Sequence, residues 1–140
     1  MADQYATIAH RWFDEVWNQQ RESTIDALLA DEAVVHGIIG PDGQVVVGPT
    51  GFKPFFHQFC QAFPDIHVAV EDTVVEGDRV AARCQVTGTH SGPGLMAAPT
   101  GRNVSFTGMC MLRMQDGKIA EAWNNFDFLS MYHQLGLQLR

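Results

Sequence analysis

The chain has 140 residues, 46% of them hydrophobic, and a formal net charge of −7, which together predict one globular domain over residues 1–140 with an apolar core. The acidic balance, with no basic run, argues against a nucleic-acid or anionic-membrane partner. No apolar stretch approaches the roughly 20 residues of a membrane span, and the N-terminus lacks a signal-peptide pattern, so we expect a cytoplasmic protein.

The first half of the chain predicts three helices and two short strands. Apolar residues recur at helical spacing from Tyr5 to Trp17, which predicts the first helix. Asp3 is its expected N-cap. Pro54 is expected in the first turn of the third helix, where a missing amide hydrogen costs least. The remaining elements of this half are a helix over residues 23–30, strands over 33–37 and 44–47, and a helix over 50–63.

The second half predicts four long strands and a closing helix. Tight-turn pairs such as Asp116-Gly117 separate the strands, and a loop rich in Gly, Pro and Ala interrupts them over residues 91–101. The strands are expected over residues 66–76, 79–90, 102–115 and 118–127, and the helix over 128–137. Strands grouped apart from helices favour an α+β fold with helices on one face of an antiparallel sheet.

Both faces of the strand over residues 102–115 are apolar. Val104, Phe106, Cys110 and Leu112 point to one side, and Met109 and Met111 to the other. One face meets the helices, so the other needs a second cover. We therefore predict a homodimer through the outer sheet face, on which we also expect Arg83.

The last predicted strand carries an unusual combination on one side. Trp123, Asn125 and Asp127 alternate along it, and neither a solvated face nor a core suits all three. The pattern predicts a pocket wall in which Asp127 is a buried base, Trp123 a flat surface for an aromatic ligand and Asn125 a hydrogen-bonding group. The alternatives are that Asp127 caps the following helix and that Trp123 is ordinary core. Asn124 is expected to point the opposite way, towards the dimer side or solvent.

Two histidines end predicted strands, His36 in the first and His90 in the second long one. Either could hydrogen-bond a substrate carbonyl or a developing enolate oxygen, and either could instead be a structural residue bonded to backbone. No pair of histidines has the spacing of a motif such as HExxH, so we predict no metal. The odd number of cysteines, each in apolar surroundings, indicates reduced core thiols.

Further candidates for the pocket wall lie on the helices and in the loop. Trp17 on the first helix and Phe56 and Phe59 on the third are either core or cavity wall. The loop over residues 91–101 is either a plain connection or a flap over the pocket mouth, with Met96 on its apolar underside.

Segments along nearly the whole chain carry a family resemblance: RWFDEVWNQ (11–19), IDALLADEAVVHG (25–37), GPTGFKPFFHQFCQAFPD (48–65), VEGDRVAARCQVTGTHSG (75–92), PTGRNVSFTGMCMLRMQDGKIAEAWNNFD (99–127) and QLG (134–136). In this order and spacing they resemble the SnoaL-like polyketide cyclases, within the nuclear transport factor 2-like and ketosteroid-isomerase-like fold. The resemblance implies a cone-shaped α+β fold. Its curved antiparallel or mixed sheet would wrap around the N-terminal helices and enclose an apolar pocket.

The resemblance also implies an enzyme of the lyase or isomerase class. Such a cyclase closes a ring in a hydrophobic polyketide-like substrate by intramolecular aldol chemistry, with no metal or organic cofactor, and an Asp in the position of Asp127 is the acid/base. We expect His90 and His36 to hold the oxygen. The alternatives are an isomerase, a hydrolase or hydratase that activates water with a second acid such as Glu121 or Asp72, or a small-molecule-binding domain without catalysis.

Overall fold

The structure is a computed structural model that describes residues 2–40, 43–95 and 97–137. Its N-terminal half contains α1 (Ala2–Arg11), a π-helical continuation that we call the π segment (Trp12–Asn18), α2 (Glu22–Leu28), β1 (Leu29–Ile39), β2 (Val45–Val47) and α3 (Gly48–Ala62). The rest contains β3 (His67–Glu76), β4 (Arg79–Thr89), β5 (Asn103–Gln115), β6 (Lys118–Phe126) and α4 (Phe128–Gln134).

The six strands form one mixed sheet in the order β2-β1-β6-β5-β4-β3. The four long strands are the predicted antiparallel meander, and β1 pairs with β6 in parallel. Helices on one face of this sheet confirm the predicted α+β class. No helix in the described part of the chain combines the length and apolar character that spanning a membrane requires.

The inner face of the sheet is apolar and meets the helices. On β4, Val80, Ala82, Cys84 and Val86 are buried as their alternation predicts. Their partners on β5, including Phe106 and Leu112, are buried with them, whereas Met109 and Met111 on the outer face are 53% and 41% exposed. The buried sides of β4 and β5 therefore form the core together with α1, the π segment and α3.

Several element boundaries differ from the prediction. The first helix changes to π geometry after Arg11, and β1 begins directly after α2 and runs for 11 residues rather than five. Helix α3 begins at Gly48, so Pro49 lies in its first turn and Pro54 inside the helix, which makes the expected place of Pro54 wrong. Gly48 itself has φ +65°, and a Cβ there would lie 2.1 Å from the carbonyl oxygen of Asp31, so the turn into α3 requires glycine.

One irregularity decides which side chains of β6 face inward. After the Asp116-Gly117 turn, Ile119 pairs with Met114, but Glu121 pairs with Arg113, so Ala120 is an extra residue on β6. A β-bulge of this kind shifts the register by one, and each side chain beyond it changes face. Ala122, Asn124 and Phe126 consequently face the core side, and Trp123 and Asn125 the outer side.

Candidate functional site

An apolar cavity lies between the inner sheet face and the helices. The empty space in and in front of it, open solvent included, is about 730 Å³. Nearly all of its wall is aliphatic or aromatic. The lining residues are Trp12, Phe13, Trp17, Leu29, Val35, Ile38, Phe52, Phe55, Phe59, Ile66, Val68, Val86, Phe106, Cys110, Leu112, Ile119, Ala122, Asn124, Phe126 and Phe128.

The helical wall of the cavity is a cluster of aromatic rings around Trp17. The ring of Trp17 lies 6.0 Å from Phe52, 6.2 Å from Phe55 and 6.4 Å from Phe59, each in an edge-on arrangement. The π segment places Trp12 and Trp17 on the same wall, because i→i+5 hydrogen bonding brings residues five apart onto one face. Trp17 and Phe59 thus line the cavity, while Phe56 is buried behind Trp17 at 5.5 Å and is not part of the lining.

The sheet wall contributes a side-chain amide, that of Asn124, to the lining. Asn124 Nδ2 donates a hydrogen bond to the carbonyl oxygen of His36, 3.0 Å away on β1. Gly37 makes this approach feasible: it has φ +87°, and a Cβ there would lie 1.8 Å from the backbone oxygen of Asn124. Cys110 also lines the cavity, and burial raises the pKa of its thiol to about 12, so it stays protonated at neutral pH.

The Phe126 ring packs directly against backbone, because its partner on β5 is a glycine. It pairs with Gly108 on β5, where a Cβ would come within 2.1 Å of the Phe126 ring. Glycine at this position therefore leaves room for the ring beside the cavity. Phe128, the first residue of α4, lines the cavity as well, with its ring 6.3 Å from that of Phe126.

Asp127 is placed differently from its prediction. It is exposed and does not line the cavity, although Phe126 and Phe128 on either side of it do. Strand β6 ends at Phe126, and Asp127 turns the chain into α4, where its Oδ1 accepts the backbone N–H of Ser130 at 3.0 Å. The expected burial is therefore wrong, and the side chain has the alternative N-cap geometry, between two residues that line the cavity.

Trp123 and Asn125 lie on the outer face because of the bulge at Ala120, and His36 lies on the same face of β1, opposite Trp123. The His36 ring stacks on Trp123 with centroids 5.4 Å apart, and its Nε2 donates to Glu121 at 2.7 Å. This hydrogen bond, with the nearby Arg113 guanidinium, holds the pKa of Glu121 below its ordinary value. The predicted pocket placement of all three is wrong.

His90 is fully buried but is also absent from the cavity lining. Its Nδ1 accepts the backbone N–H of Thr100 at 3.2 Å, which leaves Nε2 to carry the proton of the neutral ring. That Nε2 has no hydrogen-bond partner among the residues that the structure describes, and the ring packs 5.5 Å from Phe63. His90 thus fastens the loop over residues 91–101 to the end of β4.

The other candidates lie outside the cavity or outside the described residues. The Asp72 carboxylate is exposed and pairs with Arg83 at 3.1 Å on the outer side of the sheet. Met96 falls outside the described residues, so its place in the loop remains a prediction. Among the described residues, no group of three or more His, Cys, Asp or Glu side chains is arranged to hold a metal ion.

Sequence reasoning missed Asn124, which it assigned to the opposite face. The missing information was the bulge at Ala120, because an unbroken register after the Asp116-Gly117 turn would have paired Trp123 with Cys110 on the inner face. Nothing in the residue pattern of β6 reveals a one-residue insertion.

Comparisons with known proteins agree with this geometry. A model of the SnoaL-like polyketide cyclase family matches residues 7–135. A proposed SnoaL-like polyketide cyclase from Jannaschia sp. CCS1 is 25% identical, with a TM-score of 0.84 over 99% of this chain and 95% of that one. IdmH from Streptomyces antibioticus, a proposed polyketide cyclase, is 31% identical, with a TM-score of 0.80 over 96% and 99%.

AclR from Streptomyces galilaeus, a proposed hydroxylase, is 27% identical, with a TM-score of 0.82 over 97% of this chain and 83% of that one. None of the curated proteins matches the chain. The structural relatives therefore include proteins with two different proposed activities. The family match covers most of the chain and agrees with its α+β architecture, and on that basis the chain belongs to the SnoaL-like polyketide cyclase family.

Proposed function

We propose that this protein binds an apolar, carbonyl-bearing small molecule in its cavity and closes a ring in it by an intramolecular aldol reaction, without a cofactor. The cavity carries the proposal, since its almost wholly apolar wall suits a hydrophobic ligand. The family to which the chain belongs, whose model is that of polyketide cyclases, points to the ring closure.

The cavity contributes mainly by positioning. A flexible chain with two carbonyl groups must fold back on itself before its ends react, and that folding costs conformational entropy. A rigid aromatic wall on one side and a sheet on the other would hold the folded chain with its reacting carbons close together.

The substrate loses one proton and regains one during the proposed ring closure. A base removes a proton from a carbon next to one carbonyl, the enolate carbon attacks the second carbonyl carbon, and the resulting alkoxide takes a proton back. We assign the base to Asp127, because it lies at the rim between two lining residues, Phe126 and Phe128. A ligand seated there excludes water from the carboxylate, and a carboxylate that has lost hydration accepts a proton more readily. His36 and His90 have no part in this mechanism.

Asp127→Asn is a sharp test, because Asn caps helices as well as Asp does but cannot accept the proton. With 1-phenylhexane-1,5-dione as the probe, aldol closure followed by loss of water forms 3-phenylcyclohex-2-enone, which ultraviolet absorbance follows. We expect the wild type to accelerate this reaction over buffer. The Asn variant should fall to the buffer rate with its melting temperature unchanged.

Asp127→Ala is the matched control, since it removes the cap as well as the carboxylate. It should lose activity and also about 1 kcal/mol of stability. An Asn variant that closes the ring at the wild-type rate would show that Asp127 is a helix cap and nothing more.

One observation favours a second candidate, ligand binding without catalysis. Among the described lining residues there is no carboxylate, imidazole, ammonium or guanidinium group. A carrier would bind the diketone without accelerating its closure, and the Asp127→Asn variant would bind it equally well.

The setting that we propose is the cytoplasm. Cys60, Cys84 and Cys110 are all free, and burial raises the pKa of the first two to about 11 and of the third to about 12. Free thiols persist in reducing compartments, and thiols with raised pKa values resist oxidation.

A further inference from the structure

We infer that Asn124 determines ligand specificity by recognising a single hydroxyl group on an otherwise apolar molecule. The inference rests on the proposed function only in taking the cavity as the ligand site. It does not depend on whether a reaction follows or on Asp127.

The orientation of the Asn124 amide is fixed by its partner. A backbone carbonyl can only accept a hydrogen bond, so the nitrogen and not the oxygen of the amide faces His36 O at 3.0 Å. The chain is held at this point by Gly37, whose lack of a Cβ allows β1 to come against the backbone of Asn124. Two backbone constraints thus hold one side chain in one rotamer at the cavity wall.

The rest of that amide is unused. Oδ1 accepts no hydrogen bond from the described residues, and the second hydrogen on Nδ2 has no acceptor among them. Asn124 lines the cavity, so these atoms are available to a ligand. The other described lining side chains with a polar hydrogen are Cys110, whose thiol is a weak donor, and Trp12 and Trp17, whose indole N–H groups can donate but not accept.

A free acceptor beside a free donor suits a hydroxyl best, because a hydroxyl can donate to Oδ1 and accept from the remaining N–H. An ether or ketone oxygen could use only the N–H, and a methyl group could use neither. A site built to pair with a hydroxyl discriminates against an analogue that lacks one, because the amide then loses water without gaining a partner.

Three naphthalenes of similar shape separate these possibilities: 2-naphthol, 2-methoxynaphthalene and 2-methylnaphthalene. We expect the wild type to bind all three in a fluorescence titration, with 2-naphthol about five- to tenfold tighter than 2-methylnaphthalene. Asn124→Ala should bind 2-methylnaphthalene about as well as the wild type, with no preference left for the hydroxyl. Asn125→Ala is the matched control, since this residue is next in the chain but exposed on the outer face, and it should keep the wild-type preference.

A measurement on the wild type avoids dependence on the folding of the variant. The side-chain amide signals of Asn124 in a nitrogen–proton NMR spectrum should shift when 2-naphthol is added and shift far less with 2-methylnaphthalene. Equal affinities for the three probes in the wild type would overturn the inference and leave cavity binding intact, and 2-methoxynaphthalene binding as tightly as 2-naphthol would overturn the hydroxyl assignment. If none of the three binds, the cavity is not a ligand site, and the inference falls with the proposed function.

Discussion

Gly37 is the residue on which the polar part of the cavity wall depends. It has φ +87°, which residues with a Cβ rarely adopt, and a Cβ would collide with the backbone oxygen of Asn124. We expect Gly37→Ala to lower the free energy of unfolding by about 2–4 kcal/mol, measured by urea denaturation, because strain and the collision add.

Gly77→Ala is the control for that substitution. Gly77 also has a positive φ, +59°, but a Cβ there would have nothing within 4 Å. Gly77→Ala should therefore lower the free energy of unfolding only by the strain of a left-handed backbone, about 1–2 kcal/mol. Equal losses in the two variants would mean that the contact between Gly37 and Asn124 places no constraint on the fold.

Single residues were predictable from the sequence where local chemistry decides the outcome. The N-cap role of Asp127 was predictable, because Asp directly before a helix commonly caps it. In the structure its carboxylate accepts the N–H of Ser130. Its exposure was not predictable, because the direction of the chain after Phe126 depends on how α4 packs. His90 is buried, but its bond to Thr100 depends on a loop whose path the sequence does not specify.

At the scale of elements, side-chain alternation predicts faces well in uninterrupted strands. The buried and exposed sides of β4 and of β5 follow it throughout. On β6 the same rule fails after Ala120, because Ile119 and Ala122 both face inward across the bulge. One extra residue thus moved Trp123 and Asn125 out of the cavity and brought Asn124 in.

The first helix buries the residues that its apolar periodicity predicts, but part of it has π-helical instead of α-helical geometry. The apolar stripe predicts that Trp12, Phe13, Val16 and Trp17 face the core, and all four are buried. Spacings of four and five residues within this group fit a π-helical turn as well as an α-helical one. Periodicity therefore identified the wall of the cavity without distinguishing the two kinds of helix.

At the scale of the whole molecule, we propose that two copies pair through the outer sheet face, as both apolar faces of β5 predict. Met109, Met111 and Trp123 give this face the residue types typical of an interface centre. On β3 to β6 the arginines of this face have carboxylates as neighbours: Arg83 pairs with Asp72 at 3.1 Å, Arg113 pairs with Glu121 at 3.4 Å, and Arg79 lies opposite Glu76. Two copies that meet through this face therefore bring ion pairs together, although each chain has a net charge of −7.

Met109→Glu should disrupt this dimer, because it replaces an apolar side chain on each contacting face by a carboxylate, whose burial costs free energy even with Arg83 opposite it on β4. We expect light scattering after size exclusion to give twice the chain mass for the wild type and the chain mass for the variant. Leu129→Glu is the matched control, because Leu129 is 57% exposed on α4 and away from the sheet, and it should remain dimeric. A wild type that is monomeric at all concentrations, or a dimer that only Leu129→Glu dissociates, would contradict the proposal.

The account as a whole depends on the cavity being the place where a hydrophobic molecule binds, and filling it is the most direct test. Ala122 lines the cavity from β6, and Ala81 on β4 faces outward opposite Met111, so Leu at each position adds the same bulk on opposite sides of the sheet. We measure the affinity for 2-methylnaphthalene by fluorescence titration and the melting temperature of each variant. The account predicts that Ala122→Leu weakens binding by about tenfold or more while the protein stays folded, and that Ala81→Leu leaves binding unchanged. Equal affinity in Ala122→Leu and the wild type would contradict it.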